Sequence, residues 1–144
     1  IDPNAFFAET YAILKEETMM VDAVANEQSR IMFLRIGSLL EGGLEPEPWS
    51  NKLVRNLLMI SANKNLMLSR RSFHISPKTA RGRIMAYLNS VSLKKRSRTF
   101  DIPFDRQQMA DYLNLERTAL SKELGRMKQE QIIDFQKNHF KILP

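Results

Sequence analysis

Residues 105–127 decide the fold, and they read DRQQMADYLNLERTALSKELGRM. Apolar residues recur at helical spacing on both sides of Asn114, so the stretch predicts two short helices, over 105–113 and 116–127, joined by a tight turn. Asp105 can cap the first helix by accepting a hydrogen bond from its backbone. Asn114 tolerates the left-handed conformation that commonly ends such a helix. The pattern is therefore typical of a helix-turn-helix.

The second of these helices has an apolar face and a polar face. We expect the apolar face to point inward, and it consists of Ala119, Leu120, Leu124 and Met127. The polar face lies at the start of the helix and consists of Arg117, Thr118, Ser121 and Lys122. A recognition helix inserts this end into the major groove of DNA, where arginine pairs with guanine and lysine reaches guanine or phosphate. We predict base contacts by these four residues, although an ordinary helical hairpin with a solvated face would show the same pattern.

Two short strand patterns follow the helix pair, at residues 131–135 and 139–143. Lys137-Asn138 lies between them, where a turn is expected. A helix pair followed by a basic-tipped hairpin is typical of a winged helix, which favours DNA binding over a plain hairpin. Contacts to the DNA backbone are predicted from the first helix and the wing, by Arg106, Gln107, Lys137, His139 and Lys141.

Basic charge is confined to one half of the chain. Residues 1–75 contain 8 Lys/Arg and 9 Asp/Glu, a balance of −1, and residues 76–144 contain 14 and 7, a balance of +7; together they make the net +6 of the chain. Such a distribution is the footprint of a module that binds a polyanion. The alternative interpretation is solubility charge on a small domain.

The first part of the chain predicts three features. The segment through about residue 17 has the apolar spacing of a short helix, and residues 19–36 alternate in part, as a hairpin with its turn at 26–29 would. Gly42-Gly43, followed by Pro46 and Pro48, predicts a boundary.

A long amphipathic pattern runs over residues 49–73 and predicts one uninterrupted helix. Its length and its position between two regions suit the seam of a two-stranded dimer, although the same stripe would also serve for docking on its own domain. The predicted seam consists of Leu53, Leu57, Ile60, Lys64 and Met67.

The next helix is predicted to begin with Ser76 as N-cap and Pro77 at its first position. It leads through the basic loop 94–98 into a short strand over 99–104.

Several function classes are disfavoured. The chain contains no cysteine, which excludes disulfides and thiolate chemistry from these residues. His74 and His139 are the two histidines, and no acid–base constellation or phosphate-cradling glycine loop accompanies them. We expect no enzymatic activity, no metal site and no cofactor. The apolar runs are too short to cross a bilayer, and no signal peptide is visible, so a cytoplasmic protein with no membrane partner is expected.

The motifs together resemble the Crp/Fnr family of bacterial transcription regulators. The resemblance is strongest over 104–113, 116–124 and Ile132-Ile133, and it extends to Asn63-Lys64-Asn65 and to 23–33, so that it covers almost the whole chain. It implies a sensor β-roll, a long dimerising helix and a winged helix, which would be mainly α with small β elements.

The implied domains are 1–47, a C-terminal remnant of a cyclic-nucleotide-binding-like β-roll, then 48–75, the dimerisation helix, and 76–144, the winged helix-turn-helix. Residues 1–47 are fewer than a complete roll needs, so we expect the first half of the sensor to be missing. The resemblance also implies a homodimer on double-stranded DNA with an inverted-repeat site, RNA polymerase as a partner and room for a small-molecule effector of unknown identity.

At two places the chain departs from the family pattern, and these departures limit which properties of the family can be expected of it. Members that bind cyclic nucleotides carry Gly-Glu and then Arg-Ser, whereas Ala8-Glu9 and Met19-Met20 stand at these places. Without the cation a phosphate loses a charge-assisted bond worth ~1.5–3 kcal/mol, so independence from cyclic AMP is expected. Thr118 replaces the glutamate common in the recognition helix, which leaves the operator sequence open.

The sequence therefore predicts a dimeric, sequence-specific DNA-binding transcription regulator. The alternative is a winged helix that mediates protein contacts without sequence-specific DNA binding. That alternative predicts an apolar recognition face, whereas Arg117, Ser121 and Lys122 make the face polar and basic.

Overall fold

The computed structural model describes residues 6–14, 16–37 and 48–144. The chain divides into two compact units, one up to Leu66 and one from Met67 onward. The described elements are α1 (Glu9–Ile13), α2 (Pro48–Ile75), α3 (Ala80–Lys95), β1 (Thr99–Asp101), α4 (Arg106–Leu113), α5 (Arg117–Gln129), β2 (Ile133–Gln136) and β3 (His139–Ile142). The predicted class, mainly α with small β elements, is confirmed.

The second unit is built on one apolar core beneath a three-stranded sheet. The strand order is β1-β3-β2, both pairings are antiparallel, and Phe140 of β3 stands opposite both Phe100 and Phe135. The buried core residues come from α3, α4, α5 and all three strands or their flanks: Ile84, Tyr87, Leu88, Phe100, Ile102, Met109, Ala110, Leu113, Leu120, Leu124, Met127, Ile133 and Phe140. The two helices of the helix-turn-helix are thereby fixed on α3 and the sheet.

Local chemistry fixes both ends of α4, as the sequence predicts. The Asp105 carboxylate accepts from the backbone N–H of Gln108 at 2.8 Å. The Gln108 side chain in turn accepts from the N–H of Asp105 at 2.9 Å, which completes a capping box. Asn114 ends the helix in the left-handed region with φ 53°. The chain therefore turns sharply into α5.

The predicted start of α3 is wrong by one turn. The N-cap is Thr79, whose hydroxyl accepts from Gly82 N at 3.0 Å, and the helix begins at Ala80. The Ser76 hydroxyl instead donates to the Phe73 carbonyl at 2.9 Å, at the end of α2. Pro77 packs across Gly82 so closely that a Cβ on Gly82 would lie 2.8 Å from Pro77 Cβ. The glycine gives the proline room on the helix, which leaves the capping position to Thr79.

In the first unit, α1 is bonded to α2 by an ion pair whose carboxylate is buried and whose lysine is partly exposed. Lys64 Nζ lies 2.7 Å from Glu9 Oε1 and also donates to the Phe6 carbonyl. Glu9 is 5% exposed, and a carboxylate at that depth needs such a charged partner. Leu57 of α2 is buried at 6% exposure. Part of the stripe predicted as a dimer seam is therefore used within the chain.

The hairpin predicted over 19–36 is not formed in this structure. Its turn is present as a bend over 26–28, where the Ser29 hydroxyl donates to the Glu27 carbonyl at 2.9 Å, but no strand is assigned among the described residues 16–37. Val24 is 81% exposed and Phe33 90% exposed. A two-stranded hairpin is marginal without a third strand or a helix to cover its apolar face, and this segment leaves these side chains in solvent. The boundary predicted over 42–47 lies outside the described residues.

The end of α2 enters an aromatic cluster in the second unit. His74 is 4% exposed, and its Nδ1 lies 2.9 Å from the Tyr112 hydroxyl. Its ring meets that of Tyr87 edge-on at 5.6 Å, and Phe104 lies 5.0 Å from Tyr112. Burial raises the pKa of the Tyr87 hydroxyl to about 12. Burial, and next the charge of Arg70, lower the pKa of His74 from its ordinary 6.5.

This lowered pKa of His74 predicts a pH-dependent stability. Between the folded and unfolded pKa values the unfolded chain binds a proton that the folded chain does not, so acidification below 6.5 favours unfolding. The melting temperature is therefore expected to rise from pH 5.5 to pH 7, most steeply in the unmodified chain. In thermal unfolding, His74→Gln should flatten this rise relative to the unmodified chain. An unchanged slope in His74→Gln would contradict the assignment.

Candidate nucleic-acid interface

Helix α5 presents the four predicted base-contacting residues together on an exposed face. Arg117, Thr118, Ser121 and Lys122 are all exposed, and they are defined here as the reader surface. Leu120, Leu124 and Met127 are buried behind them. Ala119, predicted to face inward, is exposed, because it lies about 100° around the helix from Leu120. The buried stripe consists of Leu120 and the residues four and seven positions later, and Ala119 does not lie on it.

The reader surface carries charge that no described residue neutralises through an ion pair. Within the described residues neither Arg117 nor Lys122 is part of an ion pair. Thr118 and Ser121 are short, so they do not hold the helix away from a groove floor. An exposed helix start with unpaired cations attracts an anion through both its charge and its backbone N–H groups.

The opposite side of α5 is fastened to α3 by one arginine. Arg81 Nε lies 2.7 Å from Glu123 Oε1, and its two terminal nitrogens donate to Glu130 at 2.6 and 2.9 Å. The hydrogen bonds that Arg81 donates to Glu130 and then to Glu123 raise the pKa of Arg81, and the bond from Arg81 lowers the pKa of Glu130. This network was not predicted from the sequence. It fixes the rotation of α5 that exposes the reader surface.

The wing is the β2–β3 hairpin, and its tip is Lys137-Asn138. Lys137 is exposed and takes φ 52°, the left-handed turn conformation. Arg106 lies beneath it: Nη2 donates to the Lys137 carbonyl at 2.8 Å, and the guanidinium lies 4.9 Å from the Phe135 ring centre. Burial lowers the pKa of Arg106, and its Nη1 is buried without a hydrogen-bond partner among the described residues. Arg106, predicted to meet phosphate, thus also supports the wing tip.

The outer face of the sheet carries two more of the predicted backbone contacts, His139 and Lys141. His139 and Lys141 point to this face from β3, and both are exposed. His139 Nδ1 lies 2.8 Å from Asp101 Oδ1 on the neighbouring strand. Lys128 pairs with Asp134 at 2.7 Å, and the hydrogen bond from Lys128 lowers the pKa of that carboxyl. Here cations and carboxylates alternate, which weakens the face as an anion site compared with the reader surface.

Gln107, the last predicted backbone contact, is exposed on α4. Its side-chain amide donates to Asp111 Oδ1 at 2.8 Å, one helical turn further on. The bond orients the amide of this exposed residue.

The described residues form neither a metal centre nor a membrane span. Among residues 6–14, 16–37 and 48–144, no three His, Cys, Asp or Glu side chains come together as metal ligands would. In the same part of the chain, no helix has the length and apolar character needed to span a membrane.

The comparisons with known proteins agree with this geometry. Residues 82–143 match the family model of the Crp-like helix-turn-helix domain. The match begins in α3 and ends in the residue after β3, so it includes the helix pair and the wing. No curated protein matches the chain. The resemblance of this part of the chain to the C-terminal part of a Crp/Fnr-type regulator is confirmed.

Proposed function

We propose, from the match of residues 82–143 to the Crp-like helix-turn-helix domain, that the chain is a sequence-specific, dimeric DNA-binding transcription regulator of the Crp/Fnr type. The observation that carries the proposal is the reader surface: four exposed polar or basic residues at the start of α5, with the buried Leu120, Leu124 and Met127 behind them. The ligand is double-stranded DNA, and the protein acts in the bacterial cytoplasm together with RNA polymerase.

Base recognition is assigned to the start of α5. Arg117 pairs with O6 and N7 of a guanine, and Lys122, one turn on, reaches a second guanine or a phosphate. Thr118 and Ser121 make shorter contacts to a base edge or a backbone oxygen. The rest of α5 remains outside the base edges, as in other recognition helices that read with their N-terminal residues.

Backbone contacts are assigned to the wing and α4. Lys137 at the wing tip is the principal phosphate contact, and Arg106 holds the tip while adding its own charge from below. Lys141, His139 and Gln107 contribute at the edges. These contacts set the register of the protein on the duplex and carry no base preference.

Dimerisation is assigned to α2, which presents a second apolar face. Leu58 is 68% exposed and Leu66 is 47% exposed. At about 100° per residue they lie roughly half a turn from the side that holds Leu57 and Lys64. Because Leu57 is buried and Lys64 is bonded to Glu9 within the chain, we assign the seam to the face of Leu58, Ala62 and Leu66. Within the predicted stripe, exposed Met67 and half-buried Leu53 and Ile60 lie on the same side of α2 as Leu57 and Lys64, and therefore away from this seam.

Independence from cyclic AMP is also part of the proposal. Glu9, which the family resemblance aligns with a ribose-binding glutamate, is buried and already paired with Lys64. Met19 and Met20 stand where nucleotide-binding members carry the phosphate-binding arginine and serine, and Met20 is 88% exposed. A cyclic nucleotide would find neither a free glutamate nor a cation at positions 19 and 20.

The proposal is tested by selecting duplexes that bind the full chain from a randomised DNA pool. We expect an inverted repeat with half-sites about one helical turn (~34 Å) apart. Fluorescence anisotropy should then give an affinity at least ~10³-fold above that for a scrambled duplex. Affinity should fall steeply between about 50 and 200 mM salt, because phosphate contacts release counterions.

The alternative, a winged helix for protein contacts, predicts a different outcome of the same experiment. No sequence would be enriched, and any binding would follow salt alone with equal strength on every duplex. That result would overturn the proposed function.

A further inference from the structure

The turn of the helix-turn-helix is held from outside by two arginines. The carbonyls of Asp111 to Asn114 belong to the last residues of α4 and its C-cap, where a helix end leaves carbonyls short of helical partners. Among them, the Asp111 carbonyl also accepts from the Asn114 N–H at 3.3 Å. Arg71 Nε donates to the Tyr112 carbonyl and its Nη2 to the Asp111 carbonyl, both at 3.1 Å. Arg83 Nη1 donates to the Leu113 carbonyl at 3.3 Å and to the Asn114 carbonyl at 2.8 Å. Four successive carbonyls therefore each accept from an arginine side chain.

The two arginines come from different helices. Arg83 lies in α3 and is itself anchored, since its Nε donates to the Pro77 carbonyl at 2.9 Å. Arg71 lies in the last turns of α2, the helix to which the proposed function assigns dimerisation. Its guanidinium also lies 5.9 Å from the centre of the Tyr112 ring. A residue of the long helix thus contacts the backbone only a few positions before the reader surface begins.

His74 adds a second contact between the same two helices. It lies three residues after Arg71 on α2, and its Nδ1 is 2.9 Å from the Tyr112 hydroxyl. Tyr112 is therefore held by its carbonyl, its ring and its hydroxyl, all from the end of α2. Because the chain runs from Tyr112 through a sharp turn at Asn114 into α5, the position of Tyr112 determines where Arg117 and Thr118 begin.

Building on the proposed function, we propose that Arg71 is a positioning residue for DNA recognition: its paired hydrogen bonds to the Asp111 and Tyr112 carbonyls make the reader surface follow the end of the long helix. Arginine suits this role because its planar fork spans two neighbouring acceptors. Lysine has a single ammonium and cannot reproduce that geometry.

The experiment compares Arg71→Ala with Arg70→Ala in the full chain. Arg70 is the neighbouring exposed arginine, so its removal is a matched control for the change in charge. On the selected duplex we expect Arg71→Ala to weaken binding about 2- to 30-fold more than Arg70→Ala does, the range for residues that couple sites without touching the ligand. On a scrambled duplex the two variants should weaken binding equally. Arg71→Lys should recover the scrambled-duplex affinity but not the affinity for the selected duplex.

Hydrogen exchange of the amides of residues 114–118 gives a second measurement that is independent of DNA. We expect faster exchange there in Arg71→Ala and unchanged exchange in Arg70→Ala, because only the first substitution removes hydrogen bonds to the turn. Arg71→Gln, which keeps the length of the side chain, serves if the alanine variant loses its fold, and the same pair of results is expected of it.

Each negative outcome has a distinct meaning. Equal losses for the Arg71 and Arg70 variants on both duplexes would overturn the positioning role and leave a charge effect. A loss confined to Arg71 with unchanged exchange at 114–118 would also overturn it, because Arg71 would then act directly on phosphate. If the unmodified chain prefers no duplex, the proposed function fails instead, while the exchange result still decides whether Arg71 holds the turn.

Discussion

Arg117→Ala is expected to lower the affinity for the selected duplex by at least about 5- to 150-fold, which corresponds to ~1–3 kcal/mol for one bidentate pairing with guanine. The effect is large because Arg117 is exposed at the start of α5 and forms no ion pair within the described residues, so its donors are available to a base. The variant should also tolerate other bases at one position of each half-site. Anisotropy titrations on the selected duplex and on its single-base variants measure both effects.

Two matched variants separate base recognition from charge. Arg126→Ala removes the same charge from the same helix at a residue that faces Glu123 at 3.7 Å, and it should leave base preference intact. Lys137→Ala at the wing tip should weaken binding to all duplexes alike. It should also reduce the slope of log affinity against log salt concentration by about one unit for each phosphate that the lysine no longer neutralises. If Arg117→Ala folds normally and keeps both its affinity for DNA and its base preference, α5 is not the recognition helix.

The parts of this site that the sequence predicts are those governed by local chemistry. Asp105 caps α4 within its first turn, and Asn114 ends the helix in the left-handed conformation. The buried positions Leu120, Leu124 and Met127 follow from helical periodicity. Such signals act within one or two turns of a helix, so the sequence carries them in full.

The contacts that fix the position of the helix pair cannot be predicted from such local sequence signals. Arg71 and Arg83 bond to backbone carbonyls some 30 to 41 positions away. Every residue has a carbonyl, so an acceptor of this kind leaves no mark in the sequence. The pairing of His139 with Asp101 likewise follows from the β1–β3 register, which places the two residues opposite each other.

Helix α2 shows a further limit of periodicity. The sequence predicts that the stripe with Leu57 and Lys64 is buried, and Leu57 is buried. The apolar pattern is the same whether the stripe is covered by the chain itself or by a second copy of the chain. Only the structure reveals that Lys64 is bonded to Glu9 and that Leu58 and Leu66 remain exposed.

The dimer assignment has the largest expected effect on function. Leu58→Glu combined with Leu66→Glu should give folded monomers, because two carboxylates on each helix would face their copies across an apolar seam. A monomer binds one half-site without the gain from linked binding, so affinity for the inverted repeat should fall by at least ~100-fold. Sedimentation measures the mass, and anisotropy on the intact repeat and on one half-site measures the affinity.

The control adds the same charge to a third face of α2. Asn56→Glu combined with Asn63→Glu changes two exposed polar residues, and it should leave both the dimer and the affinity for the repeat in place. Leu57→Glu should instead destabilise the monomer, because it would bury a carboxylate at a position that is 6% exposed. If the Leu58 and Leu66 variant stays dimeric while glutamate at Leu53 and Met67 gives monomers, the seam is the stripe that the sequence predicts. In that case the contact between Lys64 and Glu9 would have to open when two chains associate.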